Sequence, residues 1–153
     1  MSKSDIGLLA LRVGAGSILA AHGLPKLFGG ADRQPPEVLS TLLGSNYAPA
    51  WQKSGTTNFA NALRSMGVPR PEVAATASGL AEFGGGIALL LGAATPVAAA
   101  VIAANMTVAV RKAHWKTGFY GTGGFEFAML LGAAALAIGL TGPGRISVDH
   151  LFS

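Results

Sequence analysis

Seven polar or ionisable residues stand within or at the ends of long apolar stretches: Arg12, His22, Lys26, Glu82, Asn105, His114 and Glu126. A charge inside an apolar helix is costly, so each is a functional-site hypothesis that needs a named partner. Carboxylates and imidazoles can hold or pass protons, whereas Lys, Arg and Asn donate hydrogen bonds to a ligand. Helical rise places Arg12 ~10 Å in from one membrane face and Asn105 ~14 Å in from that same face, with Glu82 ~15 Å in from the other. In a hydrocarbon core of ~30 Å, Arg12 and Glu82 both approach the midplane and are expected to pair. His22, Lys26, His114 and Glu126 are expected to gather near the second face. The same residues have plainer roles open to them. Arg12–Glu82 could only fix helix register, Lys26 could snorkel to the interface, and Glu126 could simply favour a helix N-terminus. No two of His22, His114, Glu82 and Glu126 are spaced i,i+3 or i,i+4 on one helix, so no metal site is predicted.

These residues must be positioned by the apolar stretches themselves. Four are long enough to be helices, at about 5–28, 71–92, 96–112 and 124–141. The first amounts to ~36 Å of helix, enough to cross a bilayer with some tilt. Gly29-Gly30 ends it, and Pro25 lies in its last turn. Pro71 suits the start of the second, with Glu72 in its first turn. Only Ala93-Ala94-Thr95 separates the second from the third, which predicts a tight antiparallel hairpin. Gly142-Pro143-Gly144 stops the fourth. Between the first and second lies a polar loop, 30–70, with Pro35-Pro36, Gly44, Pro49, Gly55 and Pro69. Loops of this length are often functional. Two stretches within it have helical character, Pro36 to Leu43 and Thr56 to Met66, the latter with Phe59, Ala62, Leu63 and Met66 on one face. The expected fold is therefore all-α: one membrane domain, a four-helix bundle with a long loop between helices 1 and 2.

Composition agrees. Of 153 residues, half are hydrophobic and 12% are charged, against about 25% charged in a soluble domain, and mean hydropathy is +0.48. The first stretch is read as a retained helix, because apolar material continues to the end of the chain. Small residues recur every four positions at Ala77, Ala81 and Gly85, at Gly16 and Ala20, at Ala128 and Gly132, and at Ala135 and Gly139. Such rows let helices approach closely in lipid. They serve either bundle packing or a dimer face, so a homo-oligomer stays open. Eleven Lys and Arg face seven Asp and Glu. Seven of the cations (Arg33, Lys53, Arg64, Arg70, Arg111, Lys112 and Lys116) fall in the two loops on one side, and Lys3 and Arg145 fall on the other. The positive-inside rule then places the loops in the cytoplasm and both termini outside. A membrane face accounts for the basic balance better than nucleic acid does. There is no cysteine, which excludes thiol and thiolate-metal chemistry within this chain. The glycine clusters Gly84-Gly85-Gly86 and Gly121-x-Gly123-Gly124 follow no strand and carry no Walker lysine.

The order of several short motifs resembles the DoxX family. Leu11-Arg12-x-Gly14 and His22-Gly23-x-x-Lys26 are similar to its first helix. Met66-Gly67-Val68-Pro69, Glu82-x-x-Gly85-Gly86 and Gly92-Ala93-Ala94-Thr95-Pro96 continue the pattern. So do Met106, His114, Gly118-x-x-Gly121, Gly124-x-Glu126 and the closing Gly142-Pro143-Gly144-Arg145-x-Ser147-x-Asp149. The 31–54 part of the first loop looks like an insertion. The resemblance implies four membrane helices in the plasma (inner) membrane of a prokaryote. It also implies kinship with the DoxD-type subunit of a thiosulfate:quinone oxidoreductase, and with membrane partners of soluble redox enzymes. On that basis quinone is the expected ligand and a soluble or membrane redox protein the expected partner. Glu82, His22 and Glu126 become candidate proton carriers, and Arg12, His22, Lys26, Asn105 and His114 candidate headgroup contacts. The competing reading is a non-catalytic anchor or assembly partner whose first loop docks a redox enzyme. A carrier is disfavoured by the absence of an inverted repeat.

Overall fold

The computed structural model describes residues 2–152, all-helical with no strand among them. Seven α-helices follow in order: α1 (Lys3–Phe28), α2 (Glu37–Leu43), α3 (Tyr47–Lys53), α4 (Thr56–Ser65), α5 (Pro71–Leu91), α6 (Thr95–Val108) and α7 (Glu126–Thr141). A π-helical turn, Ala109–His114, and a 3-10 turn, Trp115–Thr117, prolong α6. Helix α1 begins in a capping box, with the Ser2 hydroxyl accepting from Asp5 N and the Ser2 N–H donating to the Asp5 carboxylate. Pro71 opens α5, where its missing N–H costs nothing, and Gly92 closes it in the left-handed region.

Three segments are long and apolar enough to cross a membrane: Lys3–Phe28, Pro71–Leu91 and Thr95–Thr117. Helix α7 is apolar but has 16 residues. Helix α1 runs along α5, α5 meets α6, α6 runs along α7, and α7 returns to α1. The core between them holds Leu19, Leu89, Ile102, Met106, Leu131 and Ile138. Outward-facing Leu80, Val97, Leu130 and Leu136 stay exposed. An apolar exterior over an apolar interior is the signature of a helix set solvated by lipid.

The small-residue rows are used inside the chain. A Cβ on Gly16 would lie 2.7 Å from the Gly86 carbonyl oxygen, and one on Gly86 would lie 2.6 Å from Ala20 N. On Gly139 it would meet Ala99 at 2.7 Å. The α1–α5 seam is therefore a backbone-to-backbone approach, and in the α6–α7 seam Gly139 makes room for the Ala99 side chain.

The segment expected as a loop at 30–70 is a helical cap instead. Helices α2 and α4 fall where helical character was expected, but α3 was not anticipated. Its sequence Tyr47-Ala-Pro-Ala-Trp51 has too few apolar repeats to show periodicity, yet Tyr47 and Trp51 are buried against each other and against α1. Tertiary burial overrides weak local preference here. Helix α4 buries Ala60 and Leu63 on Ala75 of α5. The third apolar segment also continues past its expected end at 112, because the wider π turn carries the chain on without breaking the helix.

Candidate functional site

Toward the loop end of the α1–α5 seam, Lys26 in the last turn of α1 and Glu82 form an ion pair. Nζ donates to Oε1 at 2.7 Å and lies 2.6 Å from Oε2. The carboxylate is nearly inaccessible, with 5% of its side chain exposed against 24% for Lys26. Asn105 on α6 donates through Nδ2 to the same Oε1 at 3.1 Å. The Lys26 ammonium also sits 4.8 Å from the centre of the Phe59 ring on α4, a cation–π contact that holds the charge near the apolar roof. Gly23, one turn before Lys26, permits this arrangement: any Cβ there would run into the Phe83 backbone nitrogen. The close approach of α1 to α5 thus brings Lys26 to Glu82.

Three clefts meet at Lys26. The largest, about 540 Å³, opens between α4, α5 and the extended α6, and is lined by Phe59, Met66, Val101, Ala104 and Val108, with Lys26, Ser78, Glu82, Asn105, Lys112 and His114 as its polar groups. A second, about 460 Å³, lies between α1, α3 and Phe127 of α7. A smaller one of about 190 Å³ touches His22, Lys26, Glu82 and His114 and shares lining residues with the other two. His114 lies on the π-helical turn, and its Nδ1 is 2.9 Å from the Gly123 carbonyl oxygen. A carbonyl only accepts, so Nδ1 is the donor in this contact. His22 faces the second and third clefts with its ring 6.0 Å from that of Phe127.

Of the residues singled out in the sequence, the structure thus joins Lys26, Glu82 and Asn105 directly and places His22 and His114 on adjoining walls. Lys26 does not snorkel away; Glu82 captures it. The expected Arg12–Glu82 pair does not form. Arg12 is 2% exposed and donates to four backbone carbonyls at 2.5–3.0 Å, those of Leu89, Leu90, Pro143 and Ile146. Carbonyls ending α5 and following α7 take four of the five guanidinium N–H groups, and depth along a helix says nothing about which way a side chain turns. Glu126 also stands apart. Its Oε1 accepts from Gly121 N at 3.3 Å, so it shapes the turn 118–124 and lines none of the three clefts.

Arg12 belongs to a second constellation, at the opposite end of the molecule. The chain after α7 folds back over the α5–α6 turn, with Val148 N donating to Leu91 O and Asp149 N to Gly92 O. The Asp149 carboxylate accepts from Ala94 N at 2.7 Å and Thr95 N at 2.9 Å. These hydrogen bonds, that from Thr95 foremost, hold its pKa below the ordinary value. Asp149 therefore caps α6 from more than fifty residues away in sequence. Arg145 N donates to Asp5 Oδ1 and ties the two termini together.

The sequence model of the DoxX family matches residues 7–115, well over half of the chain. The chain belongs to the DoxX family. No curated protein and no solved structure matches it. Family membership together with three long apolar helices makes this DoxX protein a multi-pass membrane protein in contact with lipid. Lys26, Glu82, Asn105 and His114 all lie within the matched region, whereas Glu126 and Asp149 lie beyond it. Phe59, Tyr47 and Lys112 are site neighbours that sequence reasoning did not single out. Only Phe59 carried a signal, its place on the apolar face of α4.

Proposed function

We propose that this DoxX protein is the membrane subunit of a quinone-linked oxidoreductase system, with the 540 Å³ cleft receiving the quinone headgroup at Lys26, Asn105 and His114. One observation carries the reading: a buried ion pair bordering a mostly apolar cleft of ligand size. Ligand sites are typically ~300–1,000 Å³, mostly apolar, with a few convergent polar groups. Nothing in bundle packing requires Lys26 and Glu82 to border an open cleft.

Bound there, a quinone supplies a two-electron, two-proton acceptor. This chain's residues supply the rest. Lys26 presents ammonium N–H groups, and Glu82 and Phe59 keep that ammonium from leaving for the interface. Asn105 fixes one Glu82 oxygen, leaving the pair as a proton-bearing unit beside the cleft. His114 and His22, which line the small cleft beside this unit, serve as proton relays in this reading. In this reading electrons come from a redox partner or a bound substrate, and no cysteine in the chain offers a thiol or thiolate-held centre of its own. In this reading α7 also crosses the bilayer, the α2–α4 cap and the turn 118–124 face the cytoplasm of a prokaryote, and both termini lie outside.

Purification in mild detergent followed by mass spectrometry of co-extracted quinone tests the reading. Near-stoichiometric quinone in the wild type, lost in Glu82→Ala, supports it. No enrichment over bulk lipid in either sample favours the anchor reading, to which the exposed Val38, Leu42 and Leu43 of α2 give a docking face. Deleting 31–54 should then abolish pull-down of a redox enzyme without unfolding the helices.

A further inference from the structure

A groove of about 300 Å³ lies along the α6–α7 seam, and Lys26 does not line it. It opens outward, where Met129 and Leu136 are exposed. The two helices run antiparallel there, since Gly139 meets Ala99 and Gly132 meets Met106. The groove therefore extends from Arg111 and Met129 at the loop end to Ala103 and Leu136, ~12 Å of helix. Small residues, Gly132 and Ala133 among them, leave its volume open. Its polar groups are few. Thr107 gives its hydroxyl to Ala103 O at 2.8 Å. The Arg111 side chain makes no hydrogen bond or ion pair among the described residues. No carboxylate lines the groove, and Glu126, the acid that opens α7, accepts from Gly121 N instead. Arg111 thus keeps an unneutralised charge and an unused guanidinium fork, unlike Lys26. Lys112 and Lys116 follow on the same segment, likewise without a side-chain hydrogen bond or ion pair among the described residues. Exposed Trp115, stacked on Phe125, and exposed Tyr120 stand at this same end. Such aromatic side chains sit at the headgroup level of a bilayer.

We infer that this groove binds one phospholipid of net negative charge, with its phosphate at Arg111 and an acyl chain lying along Gly132 toward Leu136. Charge complementarity selects the head. A free guanidinium at headgroup depth holds a phosphate bidentately, and the neighbouring lysines favour a lipid whose charge is not cancelled by its own choline. The apolar lining and outward opening select the chain, because lipid tails are what fills a groove facing the hydrocarbon core. The inference rests on α7 standing in the bilayer, as read above, and not on quinone.

The test is photo-crosslinking of the full chain in phosphatidylcholine nanodiscs doped with phosphatidylglycerol that carries a diazirine on one acyl chain, mapped by peptide mass spectrometry. Labels should concentrate in 103–111 and 128–136. Arg111→Gln should lower them about tenfold, the worth of a hydrogen bond between charged groups. Lys116→Gln should lower them less than half as much, which separates a site from diffuse attraction to a basic surface. Ala133→Phe, which fills the groove from an exposed position, should suppress them. Because Ala133→Phe could disturb packing, the contrast between Arg111→Gln and Lys116→Gln stands as a separate readout on side chains that hold nothing in the fold. Ala104→Phe, which narrows the 540 Å³ cleft, should deplete co-purified quinone and keep the lipid label, and Arg111→Gln should do the reverse, so failure of the two readings is distinguishable. Equal loss in Arg111→Gln and Lys116→Gln, equal labelling by the matching phosphatidylcholine probe, or crosslinking of this face to a second copy of the chain in place of lipid overturns the inference.

Discussion

Removing either half of the Lys26–Glu82 pair should cost stability unequally. Breaking a buried pair typically costs ~3–5 kcal/mol, because the survivor is left charged and unpaired. Here the survivors differ. In Lys26→Met, Glu82 keeps only the hydrogen bond from Asn105 and remains nearly inaccessible, so the cost should be about 3 kcal/mol. In Glu82→Gln, Lys26 retains a quarter of its exposure and the Phe59 ring. The ammonium can tilt toward water, and the amide still accepts from Asn105, so about 1–2 kcal/mol is expected. The double variant Lys26→Met/Glu82→Gln buries no charge and should cost no more than Lys26→Met alone, a coupling of about 1–2 kcal/mol. SDS-induced unfolding in mixed micelles, followed by circular dichroism, measures all three. Equal single costs that add in the double variant would show that the pair contributes nothing, and the assignment of Lys26 as a captive cation would fall.

Arg12→Lys should destabilise by about 3 kcal/mol, since an ammonium cannot reproduce a guanidinium fork across four carbonyls and leaves buried acceptors unpaired; hydrogen exchange over 145–152 should accelerate, and unchanged exchange would refute the clamp. Asp149 has a depressed folded pKa, so its stabilisation is fully present above the unfolded value near ~3.9 and is lost as pH falls through the folded value. Wild type should therefore lose stability below about pH 4 relative to Asp149→Asn, which should be less stable at neutral pH and flatter with pH. Gly23→Ala should cost at least about 1–3 kcal/mol by forcing α1 from α5, whereas Gly14→Ala, where a Cβ meets nothing within 4 Å, should be neutral or stabilising by about 0.5–1 kcal/mol. Thermal unfolding in detergent separates the two glycine variants, and equal effects would discount the seam.

What the sequence discloses follows from what periodicity and cost can encode. Long apolar stretches mark α1, α5 and the α6 segment, because lipid admits few other solutions for backbone polar groups. The expense of Glu82 and Lys26 in apolar surroundings singles them out, without any structure, as residues that need a partner. Their pairing is different. Fifty-six residues separate them, and only the contact between α1 and α5 at Gly23 sets which cation reaches which anion. Arg12 shows the same limit from the other side. Backbone carbonyls have no sequence signature, so a pattern of charges cannot reveal that an arginine is satisfied by main chain alone.

That division explains why the two polar constellations differ in kind. At the terminal end, Arg12, Asp149 and Asp5 engage backbone groups, and their hydrogen bonds tie together chain ends that would otherwise fray. At the loop end, Lys26 and Glu82 engage each other and stay adjacent to open volume. Capping needs donors and acceptors that are fully used, whereas binding needs some left over. The Lys26–Glu82 pair borders open volume and keeps such capacity. Function is therefore to be sought there rather than at the more deeply buried arginine.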